Sequence, residues 1–574
     1  MFKLFKWFNI ERLERFKQFE NIFLRIMAAI RLGDLLKARG LINDRQLHVA
    51  LIQQKVTGDL LGDTFVKLGF VSSKELGQIL SEQSGIEFID LSEYIISEDA
   101  LRVVPKDIAE KTGFIPIDVE NGRLSIGITN PSNILAVDTV TRMTKNQPKV
   151  YMVDADSFRD AVEKAYFFLE NPIQHQVDNI VNEIKATETV SGNAVTSLTN
   201  LIIMDGIRRN ATDIHINPTA DIINVFYRID GVLQHGHGIP KVAHSGITSR
   251  IKILSQLDIA EQRLPQDGSF TFTFLNKGYD IRVSTVPTIY GENIVMRVLA
   301  GAATLLRIEQ LGFDEGNTKK IKTLFHKPYG IILITGPTGS GKTTTLYAAL
   351  REIDLLERNV LTVEDPVEYK LSLIKQTQVN EKVGYDFALA GRNFMRQDPD
   401  VMLLGEIRDE ETAKIAIRAS ITGHLVLSTL HTNDAVTAIP RLIDLNVDRF
   451  LMSSSLLAIM AQRLIRRICH YCKAEYALND YEISIFEEHG ISLTTAFKGK
   501  GCPKCSGTGY SGRTVIGEIL IIDDELRELI YSAASVTALK AAAVRKGMVP
   551  LKEDAVRKAA SGITTIDEVI RVAG

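Results

Sequence analysis

Runs of apolar residues alternate with helically spaced segments in the second half of the chain. Residues 330–335 and 401–404 are apolar runs of strand length, and residues 360–364 form a third run that leads into an acidic turn. Residues 343–350, shortly after the first run, are predicted to begin a helix. Because strands that alternate with helices favour a parallel sheet, residues 305–465 are predicted to form a largely parallel α/β core.

The rest of the chain shows other periodicities. Residues 31–83 repeat one helical unit twice, residues 85–168 switch to an α/β pattern, and residues 169–195 are polar and broken. Residues 196–300 mix helix with strands that have one exposed face, and residues 524–574 have helical spacing. The predicted segments are an extension at 1–30, an N-terminal domain at 31–168, a linker at 169–195, a mixed domain at 196–300, the α/β core at 305–465, a cysteine insertion at 466–510 and a helical C-terminal region at 511–574.

Length and charge limit the classes of function. A chain of 574 residues is too long for one core and predicts roughly three to five domains. Its net charge of −3 gives no basic footprint, so nucleic acid is not an expected partner. No apolar run reaches about 18 residues, and the first residues lack the apolar core of a signal peptide. Residues 1–30 carry six Lys or Arg against three Glu, which fits a weak membrane-surface or partner-binding helix, an accessory helix or an upstream extension.

The segment between the first apolar run and its helix matches the G-x-x-x-x-G-K-[ST] phosphate loop. Its glycines let backbone N–H groups point at phosphates, and the following helix adds its positive N-terminal end. Lys342 is predicted to reach the β- and γ-phosphates of a nucleoside triphosphate, and Thr343 to ligate Mg²⁺. The predicted nucleotide contacts are Gly336, Pro337, Thr338, Gly339, Ser340, Gly341, Lys342, Thr343 and Thr344.

Acidic residues follow two further strands of the predicted core. Glu368 lies in the turn after residues 360–364, and Glu406 follows residues 401–404 after one glycine. The carboxyl ends of parallel strands converge on the ligand crevice, where acids order Mg²⁺ and polarise water. Phosphate-loop enzymes generally end the second of these strands in Asp, so Glu406 departs from the general pattern. His424 and His431 lie at the two ends of another apolar strand, where they are either structural or sense the γ-phosphate.

All four cysteines of the chain fall into two CxxC pairs with 29 residues between them. This spacing is typical of a tetrahedral Zn²⁺ site, and a reduced or redox-active set of thiols is the alternative. A site with four protein ligands is closed, so a structural role is expected. The predicted zinc ligands are Cys469, Cys472, Cys502 and Cys505.

Four segments, in order, resemble the Walker A, Asp box, Walker B and His box of secretion ATPases of the GspE/PilB type, which power type II secretion and type IV pilus assembly. They are residues 336–343, 362–368, 404–409 and 422–433. The resemblance covers roughly 195–574 and implies a RecA-like phosphate-loop ATPase core preceded by a PAS-like α+β domain.

The same resemblance implies roles for individual residues. Glu368 would be the catalytic glutamate that orients water, and Glu406 would serve the Walker B role. His424 and His431 would link the nucleotide state to domain position. In this family, arginines of the domain before the core reach the phosphates, where a guanidinium can pair two oxygens. The candidates are Arg228, Arg250 and Arg282.

The tandem repeat resembles the N-terminal domain of the MSHA pilus ATPase, MshE, which binds cyclic di-GMP through two tandem motifs. Seven positions of the first copy recur 29 residues later, but Leu60 occupies the position of Arg31. A structural or partner-docking domain is the alternative. The implied cyclic di-GMP contacts are Arg31, Leu32, Gly33, Gly40, Leu47, Leu51 and Gln54 in the first copy, and Leu61, Gly62, Gly69, Leu76, Leu80 and Gln83 in the second.

Taken together, these resemblances imply an α/β multidomain, hexameric ATPase that is cytoplasmic and peripheral at the inner membrane. It would hydrolyse Mg-ATP to drive assembly of pilin or pseudopilin subunits. The implied partners are an inner-membrane platform protein of the GspF/PilC type and a membrane-anchored adaptor of the GspL/PilM type. The implied ligands are ATP, Mg²⁺, Zn²⁺ and, through the repeat, cyclic di-GMP. The sequence leaves open a secretion motor whose N-terminal domain only docks, a pilus-retraction motor, and a nucleotide-sensing regulator with little turnover.

Overall fold

The computed structural model describes residues 31–299 and 306–574, except residues 92, 93, 95 and 121. The chain divides into two compact units, Met1–Ala302 and Ala303–Gly574. The predicted extension at 1–30 lies outside the described residues. Within the described part of the chain, no helix is long and apolar enough to cross a membrane.

The tandem repeat folds as two helical hairpins. The second helix of each hairpin begins at a capping residue, because Asn43 accepts a hydrogen bond from the Gln46 N–H and Ser72 from the Glu75 N–H. A glycine with positive φ follows the first helix of each hairpin and turns the chain. The four helices are α1 (Leu32–Ala38), α2 (Asp44–Thr57), α3 (Leu61–Lys67) and α4 (Ser73–Ser84).

A three-stranded sheet follows the hairpins. Its central strand pairs antiparallel with one neighbour and parallel with the other, and its apolar residues form a core with the surrounding helices. The α/β pattern of residues 85–168 predicts this mixture. The elements are α5 (Glu98–Val103), α6 (Lys106–Thr112), β1 (Phe114–Glu120), β2 (Arg123–Ile128), α7 (Ile134–Thr144), β3 (Lys149–Met152) and α8 (Ala155–Glu170).

The segment 169–195 is not the polar linker that its composition predicts. Most of it forms the helix α9 (Ile173–Thr187). Four residues on one face of α9 are buried in the core that follows it: Ile173, Val177, Val181 and Ile184. Their spacing of three and four residues is helical, but polar residues on the exposed face dominate the composition.

A six-stranded antiparallel sheet completes the first unit, in the order β6-β5-β4-β9-β8-β7. Its buried face packs against α9 and the two helices α10 and α11, which gives the α+β architecture that the sequence predicts for this region. The elements are α10 (Gly192–Arg208), β4 (Asp213–Pro218), β5 (Ile222–Ile229), β6 (Val232–Pro240), a 3-10 turn (Lys241–Ala243), α11 (His244–Leu254), β7 (Gln266–Phe274), β8 (Lys277–Thr288) and β9 (Gly291–Leu299).

The second unit is built on a seven-stranded sheet in the order β12-β11-β13-β14-β10-β15-β18. The first six strands are parallel, as the alternation of strands and helices predicts, and apolar cores lie on both faces. The elements up to β14 are a 3-10 turn (Ile308–Gln310), α12 (Glu315–Phe325), β10 (Gly330–Thr335), α13 (Lys342–Glu352), β11 (Val360–Glu364), β12 (Lys375–Gln378), a 3-10 turn (Glu381–Val383), α14 (Phe387–Phe394), β13 (Val401–Leu404), α15 (Glu410–Ile421) and β14 (Leu425–Leu430).

The helical pattern of residues 524–574 is confirmed by four helices, but the helical region predicted for 511–574 begins too early. Its first residues belong to β18, which pairs antiparallel with β15 and closes one edge of the sheet. The remaining elements are α16 (Ala438–Asp444), α17 (Arg449–Ser455), β15 (Leu456–Ile468), β16 (Lys473–Ala477), α18 (Asp480–Glu488), β17 (Thr495–Gly499), a 3-10 turn (Pro503–Cys505), β18 (Tyr510–Ile521), α19 (Asp524–Tyr531), α20 (Val536–Arg545), α21 (Leu551–Ala560) and α22 (Ile566–Ala573).

Candidate functional site

The phosphate loop joins the end of β10 to the start of α13. Gly339 and Gly341 have φ angles of 79° and 87°, which side chains with a Cβ rarely adopt. A Cβ on Gly336 would lie 2.4 Å from the carbonyl oxygen of Gln462, so the close approach of two strands requires glycine there. The Lys342 Nζ donates to the Gly336 carbonyl oxygen at 2.8 Å, which places its ammonium at the loop.

A buried glutamine holds the loop from behind. Gln462, on β15, is fully buried; its Nε2 donates to the Ser340 carbonyl oxygen and its Oε1 accepts from Thr345 Oγ1, both at 2.9 Å. In a trans peptide the carbonyl and the next N–H point in opposite directions, so the first bond turns the Gly341 N–H away from Gln462. That orientation suits a loop whose amides bind phosphate on its other side. Gln462 lies within the range 195–574 that the resemblance covers, but no role was predicted for it.

Glu406 and His431 meet at the same edge of the sheet as the phosphate loop. The Nε2 atom of His431 lies 3.1 Å from Glu406 Oε1, and Arg408 Nε donates to Glu406 Oε2 at 2.8 Å. Burial lowers the pKa of His431, the Lys342 ammonium lowers it further, and Glu406 opposes both. Burial also lowers the pKa of Lys342, against the attraction of Glu406. No role was predicted for Arg408, although it lies two residues after Glu406 within the segment 404–409.

The loop that carries His431 is tied to the strand before the phosphate loop. The Thr432 N–H donates to Thr335 Oγ1 at 2.8 Å, and the two threonine hydroxyl oxygens lie 2.7 Å apart. Thr335 is the last residue of β10 and is fully buried. A shift of either loop therefore has to disturb the other.

His424 lies at the other edge of the sheet. It precedes β14, which runs parallel to β10, whereas the phosphate loop follows the end of β10. Its Nδ1 lies 2.8 Å from the Ala419 carbonyl oxygen. The six residues of β14 span about 20 Å, so His424 and His431 do not share one site in this unit. The link of His424 to the nucleotide state stays a prediction.

Glu368 is exposed in the loop between β11 and β12. Because β11 is parallel to β13, this loop begins at the carboxyl edge of the sheet, as do the phosphate loop and the segment with Glu406. The Arg408 guanidinium lies 3.9 Å from Asp365 of the same loop. The strand-end argument therefore predicted the correct edge for Glu406 and for the start of the loop that carries Glu368.

The four cysteines converge, as their spacing predicts. All four Sγ atoms lie within 4.8 Å of one another, and pairs are separated by 3.9 Å (Cys469 and Cys502), 3.8 Å (Cys472 and Cys505) and 3.7 Å (Cys502 and Cys505). Four sulfurs arranged tetrahedrally at about 2.3 Å from Zn²⁺ are about 3.8 Å apart. Two backbone N–H groups, of Cys502 and Gly509, lie 3.2 Å from Cys505 Sγ, as suits a thiolate acceptor. The donor set therefore fits a structural Zn²⁺.

Three arginines and one aspartate form a row across the six-stranded sheet of the first unit. The strand register pairs Arg228 with Asp213, Asp213 with Arg297, and Arg297 with Arg282, which puts their side chains on one face. Asp213 Oδ1 lies 3.1 Å from Arg297 Nε, and its Oδ2 lies 3.6 Å from Arg228 Nε. Arg250 lies on α11 instead. Arg297 was missed because only the register of β9 places it beside Arg282.

Comparison with known protein families shows to which family the chain belongs. The sequence model described as Type II/IV secretion system protein matches residues 188–571, which is more than half of the chain. The chain belongs to the Type II/IV secretion system protein family. A second model, the MshEN domain, matches residues 84–169, which cover the α/β part after the tandem repeat.

Several members of this family resemble the chain closely. The type IV pilus assembly ATPase PilB of Myxococcus xanthus is 39% identical over 558 residues, covering 94% of this chain and 98% of that protein. The type II secretion system protein E of Xanthomonas campestris pv. campestris is 37% identical over 565 residues, covering 95% and 98%. The type II secretion system ATPase E of Vibrio cholerae is 42% identical over 430 residues, covering 74% and 84%. The prediction of a secretion-type ATPase, and with it of an ATP hydrolase, is confirmed.

The repeat positions fall into two groups in this family member. A Cβ on Gly33 would lie 2.8 Å from Leu47, and one on Gly62 would lie 2.9 Å from Leu76, so these four positions pack the helices of each hairpin. The second group is accessible to solvent. Arg31 is exposed at the start of α1, and so is Leu60 at the start of α3. The remaining predicted positions lie on these helices or their turns: Leu32, Gly40, Leu51 and Gln54, and Leu61, Gly69, Leu80 and Gln83.

Proposed function

We propose that this chain hydrolyses Mg-ATP to drive assembly of pilin or pseudopilin subunits in a type IV pilus or a type II secretion system. The observation that carries the proposal is the meeting of Lys342, Glu406 and His431 at the sheet edge that also bears Glu368. Relatives named for each apparatus match nearly the whole chain, which supports the class of machine and leaves both apparatuses as candidates.

Each residue at this edge has a proposed task. Lys342 binds the β- and γ-phosphates together with the loop amides, and the Thr343 hydroxyl binds Mg²⁺. Glu406 orients the water around that cation, while Glu368 orients and deprotonates the attacking water. His431, which lies against Glu406, senses whether the γ-phosphate is present. His424 has the separate task of linking the nucleotide state to domain position.

We propose that the arginine row of the first unit binds phosphate groups. Arg282 and Arg297 are direct cross-strand neighbours with like charges, which destabilises the pair until an anion lies between them. Asp213 contacts both Arg228 and Arg297, but its single negative charge leaves the three arginines of the row with a net positive charge. Arg228, Arg282 and Arg297 are therefore the phosphate-binding arginines proposed from the row, and Arg250 on α11 stays a candidate from the family resemblance alone.

The working assembly is proposed to be a hexameric ring, because a ring lets one subunit complete the site of its neighbour. The ring would be cytoplasmic and peripheral at the inner membrane, with a platform protein of the GspF/PilC type and an adaptor of the GspL/PilM type as partners. The four cysteines hold a structural Zn²⁺ in each subunit.

Complementation of a host strain that lacks the gene tests the function. The wild-type chain is expected to restore either pilin on the cell surface or proteins in the culture supernatant. Lys342→Ala is expected to restore neither, because the loop loses its phosphate-binding ammonium. Both products are measured by immunoblotting of sheared surface fractions and supernatants. Lys382→Ala, which removes an exposed lysine of the same unit, is the control. Restoration by Lys342→Ala would contradict the proposal.

The exposed parts of the tandem repeat favour a second function, the binding of cyclic di-GMP as a regulator. Leu51 and Ile52 on α2 are 38% and 52% exposed, and they offer apolar cover for a base. Arg31 at the start of α1 offers hydrogen bonds to guanine. The equivalent position in the second hairpin is Leu60, which is 74% exposed, so the proposed site is asymmetric.

Calorimetric titration of the full-length chain with cyclic di-GMP tests this second function. Arg31→Ala is expected to weaken binding about tenfold or more, since a paired arginine–guanine contact contributes about 1–3 kcal/mol. Arg102→Ala, at an exposed arginine of α5 outside the repeat, is the matched control and should bind as the wild type does. Absence of binding by the wild-type chain would make the repeat a docking domain.

A further inference from the structure

Three polar side chains from different elements meet beneath the loop that carries Glu368. Tyr347 lies on α13, Glu364 ends β11 and Gln376 lies on β12. The Tyr347 hydroxyl donates to Glu364 Oε2 at 2.5 Å, and Gln376 Nε2 donates to Glu364 Oε1 at 3.1 Å. Tyr347 and Glu364 are only 2% and 4% exposed, so water does not compete for these bonds.

This group holds the backbone of the residue next to Glu368. The Tyr369 N–H donates to the Tyr347 hydroxyl at 3.2 Å, and the Tyr369 carbonyl oxygen accepts from Gln376 Nε2 at 2.8 Å. Both backbone polar groups of Tyr369 are therefore fixed by side chains. The rings of Tyr347 and Tyr369 also contact each other edge to face, with centroids 5.0 Å apart.

The Tyr347 hydroxyl donates to Glu364 and accepts from the backbone of Tyr369. Burial, and then the hydrogen bond to Glu364, raises the pKa of Tyr347, so the hydroxyl keeps its proton and donates it to the carboxylate. Its oxygen is then free to accept from the Tyr369 N–H. Glu364 also accepts a hydrogen bond from Thr362 Oγ1 at 2.6 Å. The donors to its carboxylate therefore lie on α13, β11 and β12. A buried network whose members are all satisfied resists displacement.

We propose that Tyr347 is a positioning residue that couples the phosphate-loop helix to the placement of Glu368. Tyr347 lies on α13, the helix that begins at Lys342, and its hydroxyl holds the peptide that follows Glu368. The Tyr347 hydroxyl thereby links the helix that follows the phosphate loop to the backbone next to Glu368. This inference rests on the proposed role of Glu368 in activating water.

Tyr347→Phe tests the coupling, because it removes the hydroxyl and keeps the ring. It is expected to lower kcat for ATP hydrolysis about 10- to 100-fold, as small displacements of catalytic groups do. The affinity for ATP should change less than about threefold, since the phosphate contacts of α13 remain. Tyr385→Phe, which removes a hydroxyl that donates to Thr377 on β12, is the matched control and should keep the wild-type kcat. Melting temperatures of both variants identify any loss of kcat that comes from unfolding.

A double-mutant cycle with Glu368→Gln separates this inference from the function on which it rests. If Tyr347 acts through Glu368, adding Tyr347→Phe to Glu368→Gln should leave the residual kcat unchanged. Additive losses of kcat, or a wild-type kcat for Tyr347→Phe alone, would overturn the positioning role. If Glu368→Gln alone retains the wild-type kcat, the proposed role of Glu368 is wrong, and the positioning role falls with it.

Discussion

Glu368→Gln is expected to lower kcat for ATP hydrolysis about a thousandfold while ATP still binds. The amide keeps the size of the side chain but cannot accept a proton from the attacking water, and general-base catalysis contributes about 10²–10⁴ in rate. A thousandfold loss corresponds to about 4 kcal/mol in the activation free energy. The phosphate contacts come from the loop and from α13, so they remain intact in this variant.

Two measurements on the same preparations check this prediction. Steady-state phosphate release gives kcat, and titration with a fluorescent ATP analogue gives affinity. Glu381→Gln, at an exposed acid just after β12, is the matched control and should turn over normally. Lys342→Ala should differ from Glu368→Gln by losing the affinity itself. A Glu368→Gln chain that hydrolyses ATP within tenfold of the wild-type rate would assign the activation of water to another group.

The sequence predicts those parts of the site that are set by local chain geometry. Glycines at fixed spacing dictate the phosphate loop, and the parallel order of strands places Glu406 at its edge. Gln462 could not be predicted in this way, because its bond to the phosphate loop joins segments 122 residues apart in the chain. Arg408 lies two residues after Glu406, but its contact with Asp365 joins two loops that only the fold brings together. The same holds for Arg297, whose neighbour Arg282 follows from the register of two strands.

Two segments of the predicted fold differ from the structure for a common physical reason. The composition of residues 169–195 predicts a linker, because the half-exposed helix α9 within them carries more polar than apolar residues. Strand β18 lies in the first part of the region 511–574, where a short apolar run does not distinguish a buried strand from a buried helix. In both cases the packing partner decides the structure. For β18 that partner is β15, and the pair aligns from Ala458 with Ile521 to Ile468 with Tyr510.

Removal of Zn²⁺ is expected to loosen the cysteine insertion without abolishing ATP binding. In isolated zinc-finger peptides the metal supplies about 10–16 kcal/mol of apparent binding energy, which is also folding energy. Here α18 of the insertion keeps a second anchor, because Phe486 is fully buried in the main core. The loss of order should therefore centre on the segments around Cys469 and Cys502. The strand that carries Gln462 should stay in place, since β15 pairs with both β10 and β18.

Metal analysis, thiol titration and limited proteolysis together test the expected effect of Zn²⁺ removal on the cysteine insertion. Because the chain has four cysteines and all belong to the cluster, the thiol count reports on this site alone. We expect one Zn²⁺ per chain, thiols that react only after chelation, and new cleavage within 466–510 when the metal is removed or Cys469→Ser is introduced. Ser484→Ala, in α18 of the same insertion, should retain the metal. ATP affinity should fall less than about threefold, because the bonds of Gln462 to the phosphate loop do not involve the cluster. A collapse of ATP affinity on chelation would instead mean that the cysteine cluster holds β15, and through it the phosphate loop, in the active conformation.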